Sequence, residues 1–151
     1  MPISGTITNA IPLLIAFLLA AIPAHAQSTP PTARQIVKSI QDHIGIPWNT
    51  DTVDTFKAGN PDTPVTGIAV TMMATLDVLE RAAANHENFV ITHEPTFYNH
   101  EDATTAFASD SVYTAKRTFL ETHHMAVLRF HDNWHARRPD GIAEGMTEAL
   151  G

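Results

Sequence analysis

The chain has 151 residues, a formal net charge of −7, nine histidines and no cysteine. The acidic balance argues against a nucleic-acid-binding surface, which would concentrate Lys and Arg. Without cysteine, the protein has neither disulfides nor thiolate metal ligands nor a thiol nucleophile.

The first 26 residues have the pattern of an export signal. Residues 11–22 form an uninterrupted apolar run, and Ala24-His25-Ala26 matches the small-x-small pattern of a signal peptidase site. The run is too short to span a bilayer as a helix of the mature protein, so we expect no stable membrane anchor. We predict an exported protein, periplasmic or secreted, in three parts: a signal peptide at 1–26, a linker at 27–31 and a single α/β domain at 32–151.

A helix is predicted to begin directly after the linker. Thr32 and Gln35 have the spacing of a capping box, and the apolar residues that follow recur on one helical face. Gly45 and Pro47 are typical helix terminators. Residues 46–64 contain turn-forming residues without a sustained period, so we predict a long surface loop there.

Strands and helices are predicted to alternate from Val65 onwards. Buried strands are indicated at 65–71, 88–93 and 125–130, and amphipathic helices at 75–85, 112–124 and 140–150. The last helix is capped by Asp140 and carries Ile142, Met146 and Leu150. Strand–helix alternation of this kind predicts an α/β fold with an open, largely parallel sheet and helices on its faces.

Polar clusters follow two of the predicted strands. His93 and Glu94 end one strand, Pro95 stops it, and "HDNWH" at 131–135 follows the next. Functional residues of open α/β sheets gather beyond the carboxyl ends of the strands. Imidazole and carboxylate ligands together suit Zn, Mn, Fe or Ni better than Ca or Mg. The sequence therefore predicts a transition-metal site at this edge.

Other interpretations of these residues stay open at this point. A histidine after a strand also fits a hydrogen-bonded rim position, and Asp132 could orient an imidazole without touching a metal. His100 fits a solvated loop that could lean over the site. Trp134 fits core packing or a stacking surface for a planar substrate. The chain has no G-x-S-x-G elbow and no glycine-rich phosphate loop, so neither a serine hydrolase triad nor a phosphate-loop enzyme has support.

Three stretches together resemble a known family. They are "VTGIAVTMMATLDVLERAAANHENFVITHEPTFYNH", "AVLRFHDNWH" and "DGIAEGMTEALG". In order and spacing they are similar to the first half of the dinuclear metal-centre hexameric proteins, also called GTP cyclohydrolase 1 type 2-like or interacting-factor-three-like. The resemblance covers about residues 46–151. It implies a homo-oligomer that binds divalent transition metals and acts on a small-molecule substrate of the nucleotide class.

The resemblance also implies roles for individual residues. His93 matches a metal-binding histidine of the family, and His131 matches another motif position. Glu94 stands where the family has a second histidine, and His135 stands where it has a bridging aspartate, a role that Asp132 could take over. The family completes its site with a histidine and a glutamate near its carboxyl terminus, whereas no histidine follows His135 here.

These observations lead to one expected function and two rivals. We expect one or two divalent ions (Zn, Mn, Fe or Ni) to be bound by His93, Glu94 and His135, with Asp132 or His131 as a further ligand or orienting group. A catalytic protein would perform metal-assisted hydrolysis of a nucleotide-like or phosphate-bearing substrate, with Glu94 as proton acceptor. The rivals are a non-catalytic metal-binding or assembly module of the cell envelope and a structural remnant lobe.

Overall fold

The structure, a computed structural model, describes residues 29–151. The predicted signal peptide and the first two linker residues lie outside this range. Among the described residues, no helix combines the length and the hydropathy needed to cross a membrane.

In the described part of the chain, four strands form one mixed sheet in the spatial order β1–β4–β3–β2. The strands are β1 (Phe56–Ala58), β2 (Ile68–Thr71), β3 (Phe89–Thr92) and β4 (Ala126–Arg129). β2, β3 and β4 run parallel in a regular register, and β1 pairs antiparallel with β4. The prediction of an α/β fold is confirmed, but the sheet is mixed because β1 lies within the segment that was predicted as a loop.

Within residues 29–151, five helices and one 3₁₀ turn connect and cover the strands. They are α1 (Ala33–His43), α2 (Leu76–Ala84), α3 (Ser111–Thr122), α4 (Asp132–His135), α5 (Gly141–Leu150) and the 3₁₀ turn at Thr105–Phe107. The capping box of Thr32 and Gln35 is present at α1. The one-turn helix α4 was not predicted, because four residues cannot show a helical period.

The hydrophobic core lies on both faces of the sheet. On one face, Val37 of α1 packs in a cluster with Phe89 and Leu128. On the other, Leu79 of α2 and Leu120 of α3 pack in a cluster with strand residues that include Val90 and Val127. Neighbouring residues of a strand point to opposite faces, so these two layers fix the register of β3 and β4. That register determines which side chains emerge where these strands end.

Candidate metal centre

Three imidazoles meet at the carboxyl edge of the sheet. His93 follows β3, while His131 and His135 lie at the two ends of α4, directly after β4. One possible ligand atom from each ring lies within 4.8 Å of the other two. The ring centroids are 4.5, 5.0 and 4.7 Å apart for the pairs 93–131, 93–135 and 131–135. The two ends meet because β3 and β4 are parallel neighbours, and four-residue spacing puts both α4 histidines on one side.

The three rings share one hydrogen-bonding pattern. In each ring, Nδ1 contacts an oxygen acceptor: the Phe130 carbonyl for His93 at 3.3 Å, Asp132 Oδ1 for His131 at 2.8 Å, and Asp140 Oδ2 for His135 at 2.7 Å. We therefore assign the proton of each neutral ring to Nδ1, which leaves the lone pair on Nε2. Metal-binding histidines are typically oriented by oxygen acceptors in this way.

The donor set fits a divalent transition metal. Three neutral imidazoles suit Zn, Fe, Ni or Mn, whereas Ca and Mg prefer oxygen ligands. Three protein ligands also leave a coordination position open, as in catalytic zinc sites. The three-histidine group could therefore hold a metal ion.

The electrostatics of the site favour the neutral form of His93 and the charged forms of Asp132 and Asp140, the carboxylates that contact His131 and His135. Burial lowers the pKa of His93, and the nearby His131 and His135 lower it further. Burial alone would raise the pKa of Asp132, but hydrogen bonds from His131, Thr52 and the Val53 amide lower it to about 2.

Asp140 behaves similarly at the other end of the group. The hydrogen bond from His135, with support from backbone amides of α5, lowers the pKa of Asp140 to about 2. Both carboxylates are therefore ionised at neutral pH and can each hold a protonated Nδ1.

The lowered pKa of His93 predicts that the metal-free protein loses stability in acid. Below about pH 6.5, the unfolded chain takes up a proton at His93 before the folded chain does, so the free energy of unfolding falls as the pH falls. Thermal melts in chelator at pH 7.5 and 5.5 measure this loss. His93→Gln, which cannot titrate, should lose less stability over the same interval, and an equal loss in both proteins would contradict the prediction.

A buried carboxylate beneath α4 holds the motif in place. Asp54 is 6% exposed. Its oxygens accept hydrogen bonds from the amides of His131, Asp132 and Asn133 at 2.6, 2.9 and 2.8 Å, and from Asn133 Nδ2 at 2.9 Å. A carboxylate at the start of a helix satisfies amides that have no partner within the helix. Asp54 therefore fixes the backbone that carries His131.

The loop that precedes β1 supports the same motif at two further points. The fully buried Asn133 donates to the Asn49 carbonyl at 3.2 Å and accepts from the Asn49 amide at 2.8 Å. Thr52 Oγ1 donates to Asp132 Oδ2 at 2.8 Å. The segment that was predicted as a surface loop thus positions the motif at 131–135 through hydrogen bonds.

A buried arginine ties the segment after β3 to the sheet. Arg129, at the end of β4, is fully buried. Its Nε donates to the His93 carbonyl at 3.3 Å, and its guanidinium donates to the carbonyl and to Nδ1 of His100. The His100 ring lies 5.8 Å from the His131 ring, so the loop that carries His100 lies beside the site, which was the alternative to a purely solvated loop.

The structure brings together some of the predicted site residues and not others. His93, His131 and His135 form the group, and Asp132 contacts the Nδ1 of His131, which is the orienting alternative. Glu94 is not in the three-residue group; its amide donates to the Met72 carbonyl at 2.8 Å as β3 ends. The roles of Glu94 and Asp132 as ligands stay predictions. Sequence reasoning missed Asp54 and Arg129.

Comparison with protein families gives one match. The family model described as Duf34/NIF3 (NGG1p interacting factor 3) matches residues 32–151. No curated protein matches the chain significantly.

Several solved structures share the fold. A Bacillus cereus protein related to NIF3 has a TM-score of 0.66 at 21% identity, over 82% of this chain and 34% of that one. Reduced HcgD from Methanocaldococcus jannaschii has a TM-score of 0.60 at 19% identity, over 75% and 46%. Staphylococcus aureus hypothetical protein SA1388 has 0.55 at 22%, over 70% and 29%. This chain thus spans less than half the length of each, and the likeness at such identities concerns the fold alone.

Proposed function

We propose that this chain, which belongs to the Duf34/NIF3 family, binds a divalent transition-metal ion through Nε2 of His93, His131 and His135. The observation that carries the proposal is that three possible ligand atoms lie within 4.8 Å of one another while each ring gives its Nδ1 to an oxygen. Zn, Mn, Fe and Ni are the candidates. A second ion would need further ligands, for which Glu94 and Asp132, each adjacent in sequence to a histidine of the group, are the candidates.

Metal-assisted hydrolysis is the catalytic form of the proposal. The ion would supply a Lewis acid and bring the pKa of a bound water close to neutrality. Asp132, Asp140 and the Phe130 carbonyl would hold the three rings in the ligating tautomer. Glu94, which follows His93 directly, would accept a proton. The resemblance to the family suggests a nucleotide-like or phosphate-bearing small molecule as substrate.

Elemental analysis of the purified full chain tests metal binding. We expect about one equivalent of Zn, Mn, Fe or Ni, and a melting temperature that falls when a chelator removes the ion and recovers when metal is returned. Protein that stays metal-free after metal is added, with a melt unaffected by chelator, would contradict the proposal and favour the remnant lobe.

Turnover separates an enzyme from a metal-binding module. The metal-loaded protein should hydrolyse a member of a panel of nucleotides and phosphoesters, and Glu94→Gln should slow that turnover while metal content is retained. Stoichiometric metal without turnover on any member would favour the non-catalytic module. Glu80→Gln, which removes a carboxylate at an exposed position of α2 outside the group, is the matched control.

We also propose that the protein is exported and forms a homo-oligomer. Export rests on the pattern of residues 1–26, and oligomerisation rests on the family resemblance. Mass spectrometry of protein recovered from the envelope and medium of the host should give a chain that begins at residue 27. An uncut chain confined to the cytoplasm would contradict export.

A further inference from the structure

An apolar cleft of about 480 Å³ opens on the face of the sheet that carries α1, and His93 forms part of its wall. Its apolar lining comes from the strands β2 and β3, from residues that follow β2 and β4, and from three helices. The apolar lining side chains are Val70, Met72, Ile91, Phe130, Ile40, Trp134 and Ile142. This volume lies within the range of small-molecule sites. The same imidazole therefore belongs to the three-histidine group and to the cleft.

The lining of the cleft selects against charged ligands. Among the described residues that form it, the polar ones are Thr71, Thr92 and His93, and none is Lys, Arg, Asp or Glu. A phosphate or carboxylate group placed there would lose its hydration without gaining a counter-charge. An uncharged ring would instead bury apolar surface against aliphatic and aromatic side chains.

Trp134, which forms part of the aromatic wall of the cleft, is held in position by its neighbours. Trp134 packs so closely on α5 that a Cβ at Gly141 would lie 2.3 Å from its ring. The Arg137 guanidinium lies 4.4 Å from the ring centroid, and the Phe130 ring lies 5.6 Å away. A wall fixed in this way does not have to be ordered when a ligand enters, which lowers the entropic cost of binding.

We infer that the cleft binds the uncharged aromatic or heteroaromatic ring of a ligand whose own nitrogen or oxygen donor reaches the three-histidine group. This inference rests on the proposed function, because the group's ion would receive that donor atom. It narrows the substrate class: any phosphate of a nucleotide-like substrate must lie outside the cleft, and its base is the part that enters.

Calorimetric titration of the zinc-loaded full chain with 4-phenylimidazole and with imidazole tests the inference. Both probes offer the same nitrogen donor, and only the first carries an apolar ring. Burial of that ring should tighten binding roughly 10- to 50-fold. Equal affinities for the two probes would overturn the inference.

A charge placed at the rim of the cleft gives the matched comparison. Val70 is 78% exposed, so Val70→Glu should fold and bind zinc normally. It should no longer bind 4-phenylimidazole more tightly than imidazole. Val112→Glu is the control, because Val112 is 65% exposed on α3 and does not line the cleft. If Val70→Glu kept the wild-type ratio of the affinities for 4-phenylimidazole and imidazole, the inference would be overturned.

Two further measurements test ligand binding in the cleft independently of metal binding and distinguish the cleft from a protein interface. If the chain binds no metal, chemical-shift titration of the metal-free protein with 4-phenylimidazole still tests the cleft: shifts that vanish in Val70→Glu support it, and no shifts overturn it. If sedimentation shows an oligomer that Val70→Glu dissociates, a second copy covers the cleft and the inference fails.

Discussion

Replacement of His93 with alanine should reduce the metal affinity of the protein roughly 100- to 1,000-fold. His93 supplies one of three imidazoles, and apparent binding free energies of structural zinc sites, about 10–16 kcal/mol for four ligands, correspond to about 2.5–4 kcal/mol for each. The other two rings lie on the same short helix and cannot replace it. Competition titration against a chelator of known affinity measures the change.

The controls for His93→Ala distinguish a residue that binds the metal from one that orients a ligand and from one outside the site. His43→Ala should bind metal like the wild type, because His43 is exposed and its ring contacts the Ser39 carbonyl of its own helix. Asp140→Asn should weaken binding by about 10- to 100-fold, since it disturbs the group that orients His135. A His93→Ala protein with unchanged metal content would show that the ion binds elsewhere.

The parts of the fold that the sequence predicted are those with local signals. The strand–helix alternation after Val65 was visible because each element carries its own period and cap; Thr75 and Asp110 cap α2 and α3 through their side chains, for example. β1 was missed because three half-buried residues show no alternation, and its pairing with β4 is a contact between distant segments. Hydrophobic periodicity is a local property of the sequence and does not predict such a contact.

Helical faces were predicted less well than helices. The predicted helix at 140–150 carries Met146 and Leu150 as apolar residues, yet these residues are 57% and 82% exposed. Val112, which begins the predicted amphipathic helix at 112–124, is 65% exposed. Apolar periodicity shows that a helix is amphipathic, but whether a face is covered depends on what packs against it.

The three imidazoles were predictable because they follow strands, and the supports beneath them were not. Parallel neighbours end at one edge, so His93 and the 131–135 motif had to converge once β3 and β4 were paired. Asp54 lies 77 residues before His131 along the chain, in a segment without hydrophobic periodicity. In the sequence, Arg129 is a polar residue at the end of a predicted strand. Their roles appear only when the folded backbone supplies their hydrogen-bond partners.

Asp54→Ala should lower the free energy of unfolding by about 3–4 kcal/mol. The substitution leaves three backbone amides without an acceptor and removes one of the two acceptors of Asn133 Nδ2. Each unsatisfied buried donor costs about 1–3 kcal/mol, less whatever water recovers. Metal affinity should fall as well, because the amides concerned begin the helix that carries two of the three imidazoles. Urea denaturation and a metal titration measure the two effects.

Asp51 provides the matched control, because it lies in the same loop and is exposed. Asp51→Ala should therefore unfold within about 0.5 kcal/mol of the wild type. Asp54→Asn keeps one acceptor oxygen and the side-chain shape, so its loss should be intermediate, and it remains measurable even where Asp54→Ala fails to fold. If Asp54→Asn and Asp51→Ala were equally stable and bound metal equally well, the buried carboxylate would be a passive neighbour of α4 and the orientation of His131 would have to come from Asp132 alone.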